Sequence, residues 1–286
     1  MKVLIVLALF ALSSAVMSAQ PDQTQAMWDD FTAKLAAGHI TQDMLRPELP
    51  QLREPLMDFL NEIRSSSRPE DWAATPELHR VGNQIIGIVS LTQKDGTKGQ
   101  YCFTLLVENS QWYFRHVESI FIRLDQIGAP PVSLFPDVSE AQKAWMRDEI
   151  RLTEKIRVYN LLIKDHDRDF ALRFFDDGEG YALQARTWVP TVSPEKAFVL
   201  FLCWEQANLL DSPVTLQALD DTSAVIRLTP RWFQLYKRTG HLRQMVSEFD
   251  FRNLFETVWQ DRARAAGWSL LIEYGQDNNA VFRLKR

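Results

Sequence analysis

Three strand-length runs separated by two tight turns constrain this chain more than any other feature. Residues 83–92 are rich in Ile and Val, and the runs 100–108 and 111–125 follow after very short connections. Lys94-Asp95-Gly96-Thr97 makes the first turn, because Asp-Gly tolerates the positive φ that a tight hairpin needs; Asn109-Ser110 makes the second. Turns this short leave no room for a crossover helix, so the three runs form an antiparallel meander. Two helices precede it. One covers 26–37, where Met27, Phe31 and Leu35 recur every four residues and Gly38 caps the end; the other runs from about 52 to 63, with Leu56, Phe59, Leu60 and Ile63 inward. Ser65-Ser66-Ser67-Arg68-Pro69 ends it.

Prolines then break the pattern. Pro130, Pro131 and Pro136 resist both helix and sheet, so residues 126–138 read as a linker between a domain at 20–125 and a second at 139–286. The second domain opens on Ser139 and Gln142, the spacing of a capping box. A long helix follows, with Trp145, Leu152, Ile156, Tyr159 and Ile163 on one stripe. Residues 170–189 look helical but interrupted near Gly178 and Gly180. Pro194 starts a helix whose middle, residues 197–204, is apolar all round and therefore buried. Residues 214–219 and 224–229 form a hairpin about Asp220-Asp221. A helix starting at Ser247 carries Phe251, Leu254, Phe255, Val258 and Trp259 on one face and stops at Gly267, before strands at 268–274 and 280–284. The fold class is α+β: helices plus a curved antiparallel sheet, then a helical domain with a small antiparallel sheet.

The first nineteen residues read as a cleavable export signal: Lys2, ten apolar residues from Val3 to Leu12, then small residues, with cleavage after Ala19 or Ala15. Ten residues rise only about 15 Å as a helix, against a hydrocarbon layer of about 30 Å, although an uncleaved anchor is the alternative. Export places the protein in the periplasm or outside the cell. The formal charge of −5 becomes about −6 once Lys2 leaves, which argues against nucleic acid and against anionic membrane surfaces as partners. Cys102 and Cys203 lie inside apolar runs in different domains and read as buried free thiols, with a disulfide or a catalytic Cys203 as alternatives.

Motifs that would announce a reaction are missing. There is no phosphate-binding loop, nucleophile elbow, H-E-x-x-H or C-x-x-C pattern, so no cofactor and no metal are expected. Asp165 to Asp169 places acids alternately as calcium loops do, but the sixth and twelfth loop positions are Phe170 and Asp176 rather than Gly and Glu, so a solvated helix junction is the better account. His116 and Glu118 stand two apart on the last strand of the meander and should share a face with Trp112, Phe114, Ile120 and Ile122, lining a cavity as base and orienter or as a buried polar pair. The second domain sets polar residues into apolar sequence: Arg186, Trp188, Glu205, Gln206, Asn208, Arg227, Tyr236, Arg238, His241 and Arg262. Burying such groups is costly unless they pair, so they are either structural ion pairs or the lining of a pocket for an anionic or polar small molecule.

Two resemblances add to this. Residues 26–125, with the ending LLVENSQWYFRHVESIFI, resemble the nuclear transport factor two-like fold, a cone of curved sheet around helices; enzymes of that family often hold an Asp/His pair in the cone, a place that His116 and Glu118 approximate. Residues 147–286, with MRDEIRLTEKIRVYNLLI, paired strands and FRNLFETVWQDRARAAGW, are similar in layout to the aminothiazoline-carboxylate hydrolase-like and vinyl-reductase-like group of small-molecule-binding domains. No Cys stands in the late helix where some members carry one, so this likeness implies ligand binding rather than hydrolysis. The expectation is an exported two-domain protein binding a small, carboxylate-bearing molecule. A hydrolase of C–N bonds using His241, Glu205 or Cys203, or a structural module of the envelope, are the competing readings.

Overall fold

A computed structural model describes residues 21–47, 49–92, 96, 98–120, 126–127, 130–133, 135–275 and 279–286. The chain is α+β and divides into two compact units, Met1–Arg123 and Leu124–Arg286. The expected export signal lies outside the described residues, and so does most of the expected turn at 94–97; the described part of 130–138 carries no helix or strand.

In the first unit, helices α1 (Pro21–Ala37) and α2 (Arg53–Ser66) precede a four-stranded antiparallel sheet ordered β1 (Glu77–Val81), β2 (Gln84–Thr92), β3 (Lys98–Glu108) and β4 (Gln111–Ser119). The edge strand β1, closed onto β2 by Gly82 at φ 60°, is an addition to the three expected strands; its sequence, Glu-Leu-His-Arg-Val, is too polar to announce it. Asn109 and Ser110 both adopt left-handed φ, 50° and 62°, as a tight hairpin turn with matching twist requires. The core is aromatic. Phe31 of α1 stacks on Phe114 at 5.7 Å and 3° and packs against Phe103 and Trp112, and all four are buried. Asp30 accepts from the Trp112 indole at 2.8 Å and pairs with Lys34, which holds its carboxyl below the usual carboxylate range.

One expectation fails here for a definite reason. The β3–β4 register passes from Leu105↔Phe114 to Thr104↔His116, so Arg115 is an extra residue, a β-bulge. The bulge shifts the alternation by one. Phe114 and Val117 both point into the core with no exposure, while His116 and Glu118 pair with Thr104 and Cys102 on the opposite face. They do not share a side with Trp112 and Phe114, and the continuation through residues 121–122 lies outside the described residues. Burial pushes the His116 imidazole below its ordinary value and the Cys102 thiol above its own.

The second unit begins with α3 (Glu140–Asp165), whose Ser139–Gln142 capping box forms as expected, with Ser139 N–H donating to Gln142 Oε1 at 3.0 Å. Asp167 caps α4 (Arg168–Phe174), accepting from the Phe170 N–H at 2.7 Å, at the expected helix junction. Next come α5 (Gly178–Trp188), α6 (Pro194–Asn208), the hairpin β5 (Val214–Leu219) and β6 (Ser223–Leu228), α7 (Arg231–Arg238), α8 (Gly240–Met245), α9 (Glu248–Ala265), β7 (Ser269–Tyr274) and β8 (Ala280–Lys285). At the hairpin turn Asp220 accepts from the backbone of Thr222 and from the Ser223 hydroxyl, and these bonds pull its carboxyl down to about 2. The sheet order is β5-β6-β8-β7, all antiparallel. Ala224, Ile226 and Leu228 of β6 and Ala280, Phe282 and Leu284 of β8 form its buried face; Phe282 meets Phe255 and Trp259 of α9 at 6.1 and 5.6 Å. Within α6, Phe198, Val199, Phe201 and Leu202 are buried as expected, but Trp204 is exposed and packs edge-on against the exposed Trp188.

Candidate functional site

Four helices of the second unit surround a cavity of about 240 Å³. From α3 it takes Asp148, Arg151, Leu152 and Lys155; from α9 it takes Phe255, Val258, Trp259 and Arg262. Both sets follow the same 3-1-3 spacing, the spacing that keeps side chains on one face of a helix. The last turns of α6 contribute Glu205 and Gln206, and α7 contributes Arg231, Trp232 and Leu235; Leu210 and Pro230 close the ring. The cavity is thus a gap at the meeting of four helices, lined by aromatic and aliphatic side chains as well as charged ones. Its volume falls below the roughly 300–1,000 Å³ of pockets for drug-sized ligands and suits a smaller molecule.

Charge is distributed unevenly over this lining, with four cations against two carboxylates. Two of the cations are committed. Arg231 donates through Nε and Nη2 to Asp148 at 3.2 and 3.1 Å and lies over the Trp145 ring at 4.5 Å. Arg262 donates through two nitrogens to the two oxygens of Asp177 at 2.7 and 2.6 Å and stacks on Tyr181 and Trp259 at 4.2 and 4.7 Å. Burial opposes the Arg262 charge, but the Asp177 bonds outweigh it and hold the guanidinium above its ordinary value. Glu205 is occupied as well, accepting from the Tyr181 hydroxyl at 2.7 Å; burial, then Glu205, pushes that phenol well upward.

The other two cations are not committed. Among the described residues, Arg151 and Lys155 have neither an ion pair nor a hydrogen bond. Both reach solvent, and the Lys155 ammonium rests 5.2 Å from the Trp232 ring centre. Desolvation, and then the charge of Arg262, pull the Lys155 amine below its ordinary value. Gln206 stands at the opposite extreme: it is 3% exposed, and its side-chain amide has no hydrogen-bond partner among the described residues. Its amide atoms line the cavity, where water or a ligand can satisfy them.

Of the ten residues expected to line a pocket in this unit, Glu205, Gln206 and Arg262 do so. The others are elsewhere. Arg186 is exposed and turns back to the Ala182 carbonyl; Trp188 is exposed beside Trp204; Asn208 donates to the Trp204 carbonyl. Arg227 lies on the solvent face of β6, because strand alternation buries Ile226 and Leu228 instead. Tyr236 stacks on Phe251 at 4.5 Å and donates to the Val246 carbonyl, and Arg238 covers Trp145. His241 belongs to a separate cluster that does not line the cavity, where Thr153 Oγ1 is 2.7 Å from Nε2 and Glu149 Oε1 is 3.2 Å from Nδ1. A neutral imidazole satisfies both by donating from Nδ1 and accepting at Nε2; burial, and then Arg157, keep it below its ordinary value. Glu205, Arg227 and His241 therefore do not converge. Both cysteines are free, and burial pushes the Cys203 thiol up to about 11, so it is protonated at neutral pH.

Sequence reasoning passed over Asp148, Arg151, Lys155, Arg231 and Trp232. The available signal was on α3, where Arg151 and Lys155 flank the apolar Leu152–Ile156 stripe and would ordinarily be read as its solvated margin. Among the described residues no group of three His, Cys, Asp or Glu side chains could hold a metal ion, and no helix is long and apolar enough to cross a membrane. Comparison with models of known protein families, with curated proteins and with solved structures finds no match to this chain.

Proposed function

We propose that the second unit binds a small carboxylate-bearing molecule, and that the protein carries this unit outside the cytoplasm. The observation that carries the reading is the pair of cations without an ion pair or hydrogen bond, the exposed Arg151 and Lys155, in the lining of a cavity shared with Trp232, Phe255 and Trp259. A carboxylate there gains two cationic partners while its apolar body leaves water. The resemblance in layout expected from the sequence of residues 147–286 points the same way, and Lys2 followed by ten apolar residues supports export.

Calorimetric titration of the full chain with phenylacetate tests it. Binding should weaken with added salt, because these charges are solvent-accessible. Arg151→Gln with Lys155→Met should cost on the order of 1–2 kcal/mol of binding, since each exposed pair contributes at most about 1 kcal/mol. Binding that ignores both salt and the double substitution would overturn the proposal. Intact mass of the exported protein tests the leader: a chain still starting at Met1 would contradict cleavage.

The second reading, a hydrolase, rests on the Thr153–His241–Glu149 arrangement, which has the order of nucleophile, base and orienting carboxylate. Against it, Thr153 is only 8% exposed and does not line the cavity. Ester or amide hydrolysis abolished by both Thr153→Val and His241→Gln would favour this reading over the first.

A further inference from the structure

The cavity lining combines two solvent-exposed cations with a buried amide, and that narrows the ligand. We infer that its occupant is a carboxylate whose far end carries a hydroxyl or carbonyl oxygen, bound at depth by Gln206. The inference rests on the anion-binding reading above and extends it from the exposed cations to the buried amide, taken as the floor of the cavity.

The lining residues differ sharply in exposure. Arg151 and Lys155 reach solvent, whereas Gln206 and Trp259 are 3% and 4% exposed and still line the cavity. The Gln206 amide offers two N–H donors and one carbonyl acceptor, and none is used among the described residues. The Trp259 indole N–H likewise has no acceptor there; indole can only donate, so an oxygen acceptor on the ligand suits it and the amide together. Water could satisfy such groups in an empty cavity, but a ligand of purely apolar far end would displace that water and leave an amide and an indole unpaired, which binding sites strongly disfavour. The lining also carries the aromatic rings of Trp232, Phe255 and Trp259, so a ring is the body that best complements it. The volume of about 240 Å³, below the range for drug-sized ligands, suits a single-ring molecule.

Three probes separate the parts of this claim: phenylacetate, with the acid alone; 4-hydroxyphenylacetate, with the acid and a far hydroxyl; and 4-hydroxyphenylacetamide, with the hydroxyl and no charge. Titrated into the full chain, 4-hydroxyphenylacetate should bind about tenfold tighter than phenylacetate, the worth of one well-placed hydrogen bond. In Gln206→Met, which conserves length and removes the amide, that preference should vanish while the melting temperature holds or rises, because no native hydrogen bond is lost. If both acids bind equally in the wild-type protein, or the preference survives in Gln206→Met, the floor assignment is wrong and the anion reading stands. If the amide binds as tightly as the hydroxy acid, the anion reading is wrong while the floor assignment stands. If none of the three binds, both fall.

Discussion

Gly87 lies in the middle of β2, and the indole of Trp28 lies directly on its Cα. A Cβ at position 87 would stand 2.0 Å from Trp28 Cζ3 and 2.2 Å from Cη2, where carbon atoms in contact prefer about 3.5–4.0 Å. The indole would have to retreat by about 1.5 Å to restore that contact. It has little room, being 2% exposed and held against Phe31 and Phe103 at ring separations of 5.4 and 6.2 Å. Overpacking of this kind costs about 1–3 kcal/mol, against which the loss of glycine's freedom in the unfolded chain returns about 0.4–1 kcal/mol. Gly87→Ala should therefore destabilise the first unit by about 1–2 kcal/mol, and at about 4–8 °C per kcal/mol for a unit of this size its melting point should fall by roughly 5–15 °C. Scanning calorimetry of the full chain measures this. Trp28→Leu supplies the decisive control: it vacates the space, so the double variant should be less destabilised than the sum of the singles by about 1 kcal/mol or more. A Gly87→Ala protein that melts at or above the parent, or singles that simply add, would refute the close approach.

Other outcomes follow from the same geometry. Trp259, 4% exposed and edge-on to Tyr181, Phe255 and Phe282, should cost about 3–5 kcal/mol when truncated to Ala, read as a shift in denaturant midpoint; an unchanged midpoint would place α9 outside the core. Arg262→Ala should cost about 1.5–3 kcal/mol of stability, because its two charged hydrogen bonds to Asp177 are lost; a stable variant would refute the tie between α9 and Asp177. Cys203, its thiol raised to about 11, should react with a disulfide reagent at pH 8 only after denaturation, and stoichiometric native labelling within seconds would contradict its burial. His241 has a folded-state pKa below the unfolded value of about 6.5, so the native state resists a proton that the unfolded chain accepts; its contribution is full above about pH 6.5 and declines as pH falls below it. Denaturant midpoints at pH 7.5 and 5.5 should therefore fall further for the parent than for His241→Gln, and equal falls would remove His241 as the titrating group.

Local chemistry alone determined much of this protein. The Ser139 box, the stripe on α9, the turn at Asn109-Ser110 and the hairpin at Asp220 are written within a few residues of sequence, since caps, turns and helical periodicity depend on near neighbours. The α+β class followed from their order. What depended on distant partners was not legible. Arg115 looks like any strand residue, yet the bulge there decides which way His116 and Glu118 point. Gly87 hints at a close approach, but only the packing of α1 shows that Trp28 makes it. The cavity shows the limit most clearly. Glu205, Gln206 and Arg262 stood out because polar groups in apolar sequence are costly, whereas Arg151 and Lys155 resembled an ordinary solvated helix margin. Their significance arises where α3 meets α6, α7 and α9, and that meeting is set by the burial of whole helix faces, a property no short stretch of sequence contains.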